Sequence, residues 1–151
     1  ADETFYFRPV RETHDVRKIA AIPNFCAINS AISVDLMGQV NSESIDGRLI
    51  AGAGGLPPFA LGARLSSGGR SIIALCATAD GGKTNRIVAQ AAAGSFTTLP
   101  RQVADYVVTE HGIADLRARS VHDRAQALIQ IAAPQFRDAL SLKWRDMARL
   151  L

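Results

Sequence analysis

A largely apolar segment, residues 71–77, is the best candidate strand and most constrains the fold of this chain. Its centre, Ile72-Ile73-Ala74-Leu75, contains no polar residue, a pattern typical of a strand buried on both faces of a sheet. Such a strand needs a covering layer on each side. The sequence therefore predicts an α/β layered sandwich around a central, mostly parallel or mixed sheet.

Further strands are predicted on both sides of this segment. Segments 25–28 and 32–36 are apolar and partly β-branched, which indicates two strands or one interrupted strand, and segment 105–110 indicates another. Residues 4–7 alternate in polarity as a short strand would. Segment 86–92 fits a strand or a helix, because its periodicity does not decide between them.

Helices are predicted near both ends of the chain. Thr13 or Asp15 is placed to cap a first helix that ends at Pro23-Asn24. Residues 120–123 have the form of a capping box, with Asp in place of the usual Glu, and precede an apolar stripe. Pro134 begins a last helix, whose apolar residues recur every three or four positions: Phe136, Leu140, Trp144, Met147 and Leu151.

A glycine-dense turn precedes a short predicted helix that begins at Pro58 and ends at the break 66–69. This glycine turn, residues 52–55, reads Gly-Ala-Gly-Gly. Because glycine reaches positive φ and lets the backbone approach a ligand closely, its amides are able to point at one anion or oxyanion. A plain tight turn before a helix is the alternative.

Composition narrows the class of protein. The chain has 151 residues, of which 48% are hydrophobic, a balance that fits one domain with a real core. The net charge is +3, but the Lys and Arg residues are scattered between acidic residues and form no basic block, so the charge gives only weak support for nucleic acid and suits an anionic small molecule equally well. No apolar run approaches membrane-spanning length, and we expect no membrane partner. The chain begins without Met, so we expect a processed product or a piece of a longer polypeptide.

The two cysteines carry a further prediction. Cys26 and Cys76 each lie within an apolar run, where a thiol behaves as a small hydrophobic residue. We therefore expect both to be reduced and buried, as is usual in a cytoplasmic protein.

One segment is similar to a nucleotide-binding loop. Residues 77–84 follow the best strand and end in Gly82-Lys83-Thr84, so they resemble a P-loop with Ala in place of the first Gly. The segment after Thr84 has no helical start, which favours a solvated Gly-Gly hairpin. A stand-alone nucleotide-binding module remains the alternative function.

Titratable side chains give only weak evidence for a binding site. Glu110 and His111 follow a predicted strand at its carboxyl end, where α/β sheets place residues that face ligands; a surface pair at a turn is the alternative. His14 and His122 lack metal-ligand spacing and are predicted to be surface or capping residues. No metal site is predicted.

Several segments carry a family signature. In chain order they are residues 29–31 with 34–43, the glycine turn, residues 71–75, residues 106–117, which contain VVTEHGIADLR, and the tail from 124–129 through 134–137. Together they closely resemble the C-terminal domain of the acetyl-CoA hydrolase/transferase family, which includes 4-hydroxybutyrate, butyrate, acetate and succinate CoA-transferases. The resemblance covers nearly the whole chain.

This resemblance implies the CoA-transferase (NagB/RpiA-like) α/β fold, with residues 1–151 as one domain, the second half of a homo-oligomeric enzyme. It implies that CoA moves between an acyl-CoA and a small carboxylic acid, with coenzyme A as substrate and no metal. The implied nucleophile is a glutamate of the N-terminal domain of the same polypeptide. That glutamate forms a glutamyl-CoA intermediate and is absent from this chain.

By the same resemblance, the amides of Gly54 and Gly55 are expected to stabilise an oxyanion. Positions expected to bind CoA or line the cleft are Gly52, Phe59, Gly62, Asn29, Gln39, Asn41, Glu110 and Lys83. Arg64 and Arg70 are further candidates for its phosphates. The family usually has an acid before Phe59 and an Arg before Gly62, where this chain has Pro58 and Leu61. This departure is either a paired loss of a salt bridge or a sign of altered acyl or CoA contacts.

Overall fold

The structure, a computed structural model, describes residues 6–150. Its helices are α1 (Val10–Thr13), α2 (Val16–Ala20), α3 (Leu56–Leu65), α4 (Val121–Ile131) and α5 (Pro134–Ala148). Its strands are β1 (Cys26–Asn29), β2 (Ser33–Asp35), β3 (Val40–Asn41), β4 (Ser44–Ile45), β5 (Arg48–Leu49), β6 (Arg70–Ala74), β7 (Thr78–Ala79), β8 (Thr84–Asn85), β9 (Ile87–Val88), β10 (Tyr106–Thr109) and β11 (Gly112–Asp115).

The central sheet has the strand order β1-β6-β10-β11. Strand β6 is parallel to both of its neighbours, whereas β11 pairs antiparallel with β10. Helix α3 packs on β1 and β6, and α4 packs on β10 and β11. The predicted α/β fold with a mixed central sheet is confirmed, and segment 71–77 contributes most of β6, one of the two inner strands.

Only one face of this sheet is covered by these helices. On that face Ile73 and Val107 are fully buried and join the hydrophobic core with Ala60 of α3 and Leu128 of α4. The opposite side, here named the open sheet face, is formed by alternate residues of the same strands: Ile28, Ile72, Ala74, Tyr106, Val108 and Ile113. The prediction that β6 is buried on both faces is therefore wrong, because α3 and α4 lie on the same side.

A second, three-stranded sheet has the order β3-β2-β9. Val34 is in register with Val40 and with Ile87, and all three side chains are fully buried. The ambiguous segment 86–92 thus contains a short strand, parallel to β2. Segments 25–28 and 32–36 contribute two separate strands that belong to different sheets.

The terminal helices follow their predicted signals. The Asp15 carboxylate accepts the Arg17 N–H at 3.0 Å and caps α2, and Ser120 Oγ accepts the Asp123 N–H at 3.1 Å and caps α4. Leu140 and Trp144 of α5 are buried. Of the predicted strand 4–7, residues 4 and 5 lie outside the described part, as does Leu151, while residues 6 and 7 are not in a strand. No helix within residues 6–150 is long and apolar enough to cross a membrane.

The cysteine prediction is half wrong. Both thiols are free, but both residues are exposed. Cys26 alternates with buried Ala27 and shares the side of β1 that carries Ile28, while Cys76 follows the end of β6. For Cys26, an apolar sequence neighbourhood did not predict burial because its side of the sheet is uncovered.

Candidate functional site

The glycine turn lies at the carboxyl-end edge of the central sheet. Helix α3 begins at Leu56, two residues earlier than predicted, with Gly55 as its N-cap. After its last turn, Ser66 Oγ accepts the Phe25 N–H at 3.2 Å, next to the start of β1. Since α3 packs along β1 and β6, its N-terminus points to the other end of these strands. That edge is where α/β sheets usually bind ligands.

The amides of the glycine turn are open. Gly54 has φ +58°, and a Cβ added to Gly52 or Gly54 would meet nothing within 4 Å. Within residues 6–150, no protein group accepts a hydrogen bond from the amides of residues 52–55. The preceding amides of Ile50 and Ala51 instead donate to the Glu43 carbonyl, at 2.8 and 3.2 Å. The turn is thus anchored from one side and keeps unused donors at a helix N-terminus, where a negative charge is stabilised.

Aromatic side chains flank this turn. His14 Nε2 lies 2.9 Å from the point where a Gly55 Cβ would be. Its ring makes an edge contact with Phe59 at a centroid distance of 4.9 Å, and Phe59 stacks on Phe25 at 6.2 Å. His14 Nδ1 is 2.9 Å from Thr13 Oγ1, which fixes the ring. His14 is half-buried beside the turn, and it is also the C-cap residue of α1, where its N–H donates to the Val10 carbonyl at 2.8 Å, so the predicted capping role is confirmed.

Sequence reasoning missed His14 because its position depends on how two helices pack. A signal was present in Gly55 and Gly62, which are seven residues apart and therefore share one face of α3. Such small residues allow close approach, and Ile19 of α2 lies against Gly62. This packing brings the start of α2, and with it His14, to the start of α3.

Glu110 and Asn29 lie at the same edge of the sheet, and Glu110 and His111 form the exposed turn between β10 and β11, so the pair is both at the carboxyl end of its strand and at a surface turn. Glu110 Oε2 accepts the Ala77 N–H at 2.8 Å, and this hydrogen bond lowers the pKa of the carboxyl below its ordinary value. The other oxygen, Oε1, lies 3.7 Å from His111 Nε2. Asn29 ends β1 and is half-buried. Ionised Glu110 is able to accept hydrogen bonds there but not to donate a proton.

Gln39 and Asn41 belong to the second sheet and its turns. Gln39 Nε2 donates to Asp35 Oδ2 at 2.7 Å, and Asp35 is only 2% exposed. Asn41 Nδ2 donates to the Ser44 carbonyl at 2.7 Å, while Asn41 Oδ1 accepts the Ser44 N–H at 3.0 Å. Both amides thus hold their own turns together. Their contact with CoA stays a prediction.

Other predicted CoA-binding residues lie apart from the glycine turn. Gly62 is buried against Ile19, which gives it a packing role. Arg64 lies at the far end of α3, where its Nη1 atom pairs with Asp105 Oδ1 at 2.6 Å. Lys83 is exposed in the loop between β7 and β8. The contacts of these side chains with CoA stay predictions.

The nucleotide-binding alternative is contradicted by the local fold. Strands β7 and β8 pair antiparallel around Gly81 and Gly82, which have φ +64° and +90°. The Thr84 hydroxyl donates to the Asp80 carboxylate at 2.6 Å. A P-loop requires a helix after its Lys-Thr pair, whose N-terminus holds phosphate. Here β8 and β9 follow, so the segment is the solvated hairpin.

Two cavities lie away from the glycine turn. One, of about 640 Å³, is lined by α5 and the segment after β9, with Phe136, Leu140 and Lys143. The other, of about 440 Å³, is lined by Asn41, Arg86 and other residues of the second sheet. The glycine turn does not line either of these two cavities. Across residues 6–150, no group of three or more His, Cys, Asp or Glu side chains has the arrangement of a metal site.

Comparison with known proteins gives a consistent result. Residues 1–143 match the family described as acetyl-CoA hydrolase/transferase C-terminal domain. The 4-hydroxybutyrate coenzyme A transferase of Clostridium kluyveri is 50% identical over 117 residues, which are 78% of this chain and 27% of that protein. The butyryl-CoA:acetate CoA-transferase of Anaerostipes caccae is 44% identical over 87% of this chain and 30% of its own.

Solved structures are similar over most of the chain. RipA from Yersinia pestis is 38% identical with a TM-score of 0.87, over 93% of this chain and 32% of its own. The 4-hydroxybutyrate CoA-transferase of Porphyromonas gingivalis is 36% identical with a TM-score of 0.76, over 93% of this chain and 31% of its own. The chain thus spans less than a third of the length of these relatives.

Proposed function

The chain belongs to the C-terminal domain family of acetyl-CoA hydrolases and transferases, and from this premise we propose that it serves as the CoA-binding domain of a CoA-transferase. That larger protein, termed the complete enzyme below, moves CoA between an acyl-CoA and a small carboxylic acid in the cytoplasm. Coenzyme A is a substrate in this reaction, and the remainder of the enzyme supplies the nucleophile.

The open amides of the glycine turn are the observation that carries the proposal. Transfer from a thioester passes through a tetrahedral intermediate, whose former carbonyl oxygen bears a negative charge. Donors already in place stabilise that charge without reorganisation, and one such donor is worth about a hundredfold or more in rate. The N–H groups of Gly54 and Gly55 suit this role, because they donate to no protein group within residues 6–150 and lie at the N-terminus of a ten-residue helix.

The reaction that we propose has a glutamate nucleophile outside this chain. Its carboxylate attacks the thioester carbonyl carbon, the C–S bond breaks, and an acyl-glutamyl anhydride and CoA thiolate form. The thiolate attacks the glutamyl carbonyl, releasing the first carboxylic acid as its carboxylate and leaving glutamyl-CoA. An acceptor carboxylate then attacks the carbonyl carbon of glutamyl-CoA, the C–S bond breaks, and a second acyl-glutamyl anhydride and CoA thiolate form. The thiolate attacks the acyl carbonyl of this anhydride, which yields the new acyl-CoA and regenerates the glutamate carboxylate. Each step conserves charge and needs no external oxidant or metal.

Side chains around the turn have distinct roles in this proposal. The Phe59 ring, held between Phe25 and His14, offers an apolar wall to the pantetheine arm. Ionised Glu110 accepts a hydrogen bond from a pantetheine amide, since it has no proton to donate. Asn29 lines the same edge and orients the thioester end.

The first experiment separates binding from turnover. Isothermal titration of the 151-residue chain with CoA should detect weak binding, and an assay with acyl-CoA and carboxylate acceptors should detect no turnover by this chain. The complete enzyme should transfer CoA between butyryl-CoA and acetate, for example, faster than it hydrolyses the thioester. Turnover by the 151-residue chain that survives Glu110→Gln and Glu43→Gln would refute the proposal.

A further inference from the structure

The open sheet face is a continuous apolar surface that crosses all four central strands. Ile28, Ile72 and Tyr106 lie side by side in one row, because the first two pair across β1 and β6 and the last two across β6 and β10. A second row contains Ala74, Val108 and Ile113. Ile28 is 67% exposed and Ile113 is 68% exposed. Isolated apolar residues are normal on a surface, but adjacent rows of them indicate an interaction site.

The parallel arrangement of the strands indicates that this surface needs a covering layer of helices. Parallel strands such as β1, β6 and β10 are normally covered by helices on both faces, because helical connections run along each face. The helices that pack most closely on the central sheet, α3 and α4, lie on the other side, together with the buried core. One covering layer of the expected sandwich is thus not supplied by residues 6–150.

A charged border adjoins one corner of the surface. The Arg117 guanidinium lies 4.5 Å from the centre of the Tyr106 ring, and its Nη2 pairs with Asp115 Oδ2 at 3.2 Å. Asp115 is in register with Tyr106 and so ends the first row. An apolar centre with a polar rim is the usual anatomy of a protein interface.

We propose that helices from the rest of the complete enzyme pack on the open sheet face and form the second outer layer of this domain. The relatives provide the necessary length, since this chain spans only 27% to 32% of the ones described above. A second copy of this chain fits less well, because its own open sheet face would bring strands rather than helices. The inference rests on the proposed two-part enzyme but concerns packing, so its test reads accessibility rather than turnover.

Thiol footprinting tests this proposal directly. Ile28→Cys and Ile113→Cys place reporters on the two edge strands of the open sheet face. Leu142→Cys, at a position of α5 that is 55% exposed, is the matched control. Each variant is made in the 151-residue chain and in the complete enzyme, and alkylation rates are followed by peptide mass spectrometry, which resolves each introduced thiol from Cys26 and Cys76.

In the 151-residue chain all three reporters should react at similar rates. In the complete enzyme the alkylation rates of the two reporters on the open sheet face should fall by a factor of about ten or more, because a covered thiol reacts only through local opening. The alkylation rate of the control should not change. Unchanged rates at both reporters would overturn the proposal, as would equal slowing of the control.

The same samples show whether a second copy of the chain covers the surface instead, and whether the packing or the proposed function has failed. Protection that increases with the concentration of the 151-residue chain, together with a dimer in sedimentation, would assign the surface to a second copy and overturn the proposal. Transfer activity of the complete enzyme with unprotected reporters would refute this inference alone. Protection without transfer activity would support the packing and refute only the proposed function.

Discussion

The Cγ2 atom of Ile19 lies 2.5 Å from the point where a Cβ on Gly62 would be. Helices α2 and α3 therefore touch through a side chain on one and bare backbone on the other. The contact continues toward the glycine turn, where His14 lies against Gly55. Close packing at Gly62 is thus what holds an aromatic residue beside the proposed oxyanion site.

Gly62→Ala should destabilise the fold. Alanine gains about 1 kcal/mol of helix propensity over glycine, but the added methyl would overlap both Cβ and Cγ2 of buried Ile19. Overpacking of this kind costs about 1–3 kcal/mol, so a net loss of about 1 kcal/mol is expected from the two terms. Urea unfolding measures it. Gly62→Ala combined with Ile19→Ala should behave less than additively, and strict additivity would contradict the contact.

Loss of the buried carboxylate of Asp105 should lower the free energy of unfolding by more than Gly62→Ala does. Asp105 is 2% exposed and accepts the N–H of buried Ser71 at 2.9 Å as well as the bond from Arg64. Asp105→Ala leaves that N–H without a partner inside the protein, which costs about 1–3 kcal/mol, and also removes a charged hydrogen bond. Arg64 is 41% exposed, so water compensates for most of its lost pairing.

The matched control for Asp105 is another ion pair of the same type. Asp115 pairs with Arg117, but both side chains are more than a third exposed. Asp115→Ala should therefore cost less than about 1 kcal/mol. Chemical unfolding of both variants gives the comparison. Equal losses would show that burial of Asp105 does not determine the difference.

The fall in the free energy of unfolding at acidic pH should depend on Glu110. The Ala77 N–H lowers the pKa of this carboxyl below its ordinary value of 4.5, so the ionised form is favoured in the folded state. Its contribution is complete above the unfolded pKa and is lost as pH falls through the lower folded pKa. The stability difference between the wild type and Glu110→Gln should be constant near neutral pH and shrink below pH 4.5. A difference that is independent of pH, measured by thermal unfolding, would contradict this.

Much of the fold was predictable because its signals are local. The largely apolar segment 71–77 predicted β6, and the Ser120 capping box predicted α4, since a strand period or a helix cap needs only neighbouring residues. Glu110 was placed at the carboxyl end of its strand by the same logic, whereas Asn29 was named only through the family resemblance. Strand β11 was not predicted, because Gly112–Asp115 is short and becomes a strand only by pairing with β10.

What could not be predicted depends on partners distant in sequence. Ile28 and Ile72 are apolar whether a helix covers them or not, so the sequence alone gave no sign of the open sheet face. Cys26 was expected to be buried for the same reason. The place of His14 beside Gly55 follows from the packing of α2 on α3, so its signal lay in the small residues Gly55 and Gly62 and not in the residues around His14.

Gly52→Ala is the sharpest test of the glycine turn. Gly52 does not have positive φ, and its added methyl would enter open space, so stability should change by less than about 0.5 kcal/mol. That open space is where we propose the thioester lies. The complete enzyme carrying Gly52→Ala should therefore lose transfer rate by about tenfold or more, since displacing an oxyanion from one donor costs about a hundredfold.

Gly54→Ala provides the comparison for this test. It also adds a methyl to open space, but its φ of +58° is strained for alanine, which costs about 1 kcal/mol of stability. Both variants should lose transfer rate, whereas only Gly54→Ala should lose stability. Unfolding curves and kcat/KM with acyl-CoA separate the two effects. Full activity of Gly52→Ala would mean that the substrate does not approach these amides, because a methyl group in its path would otherwise displace it.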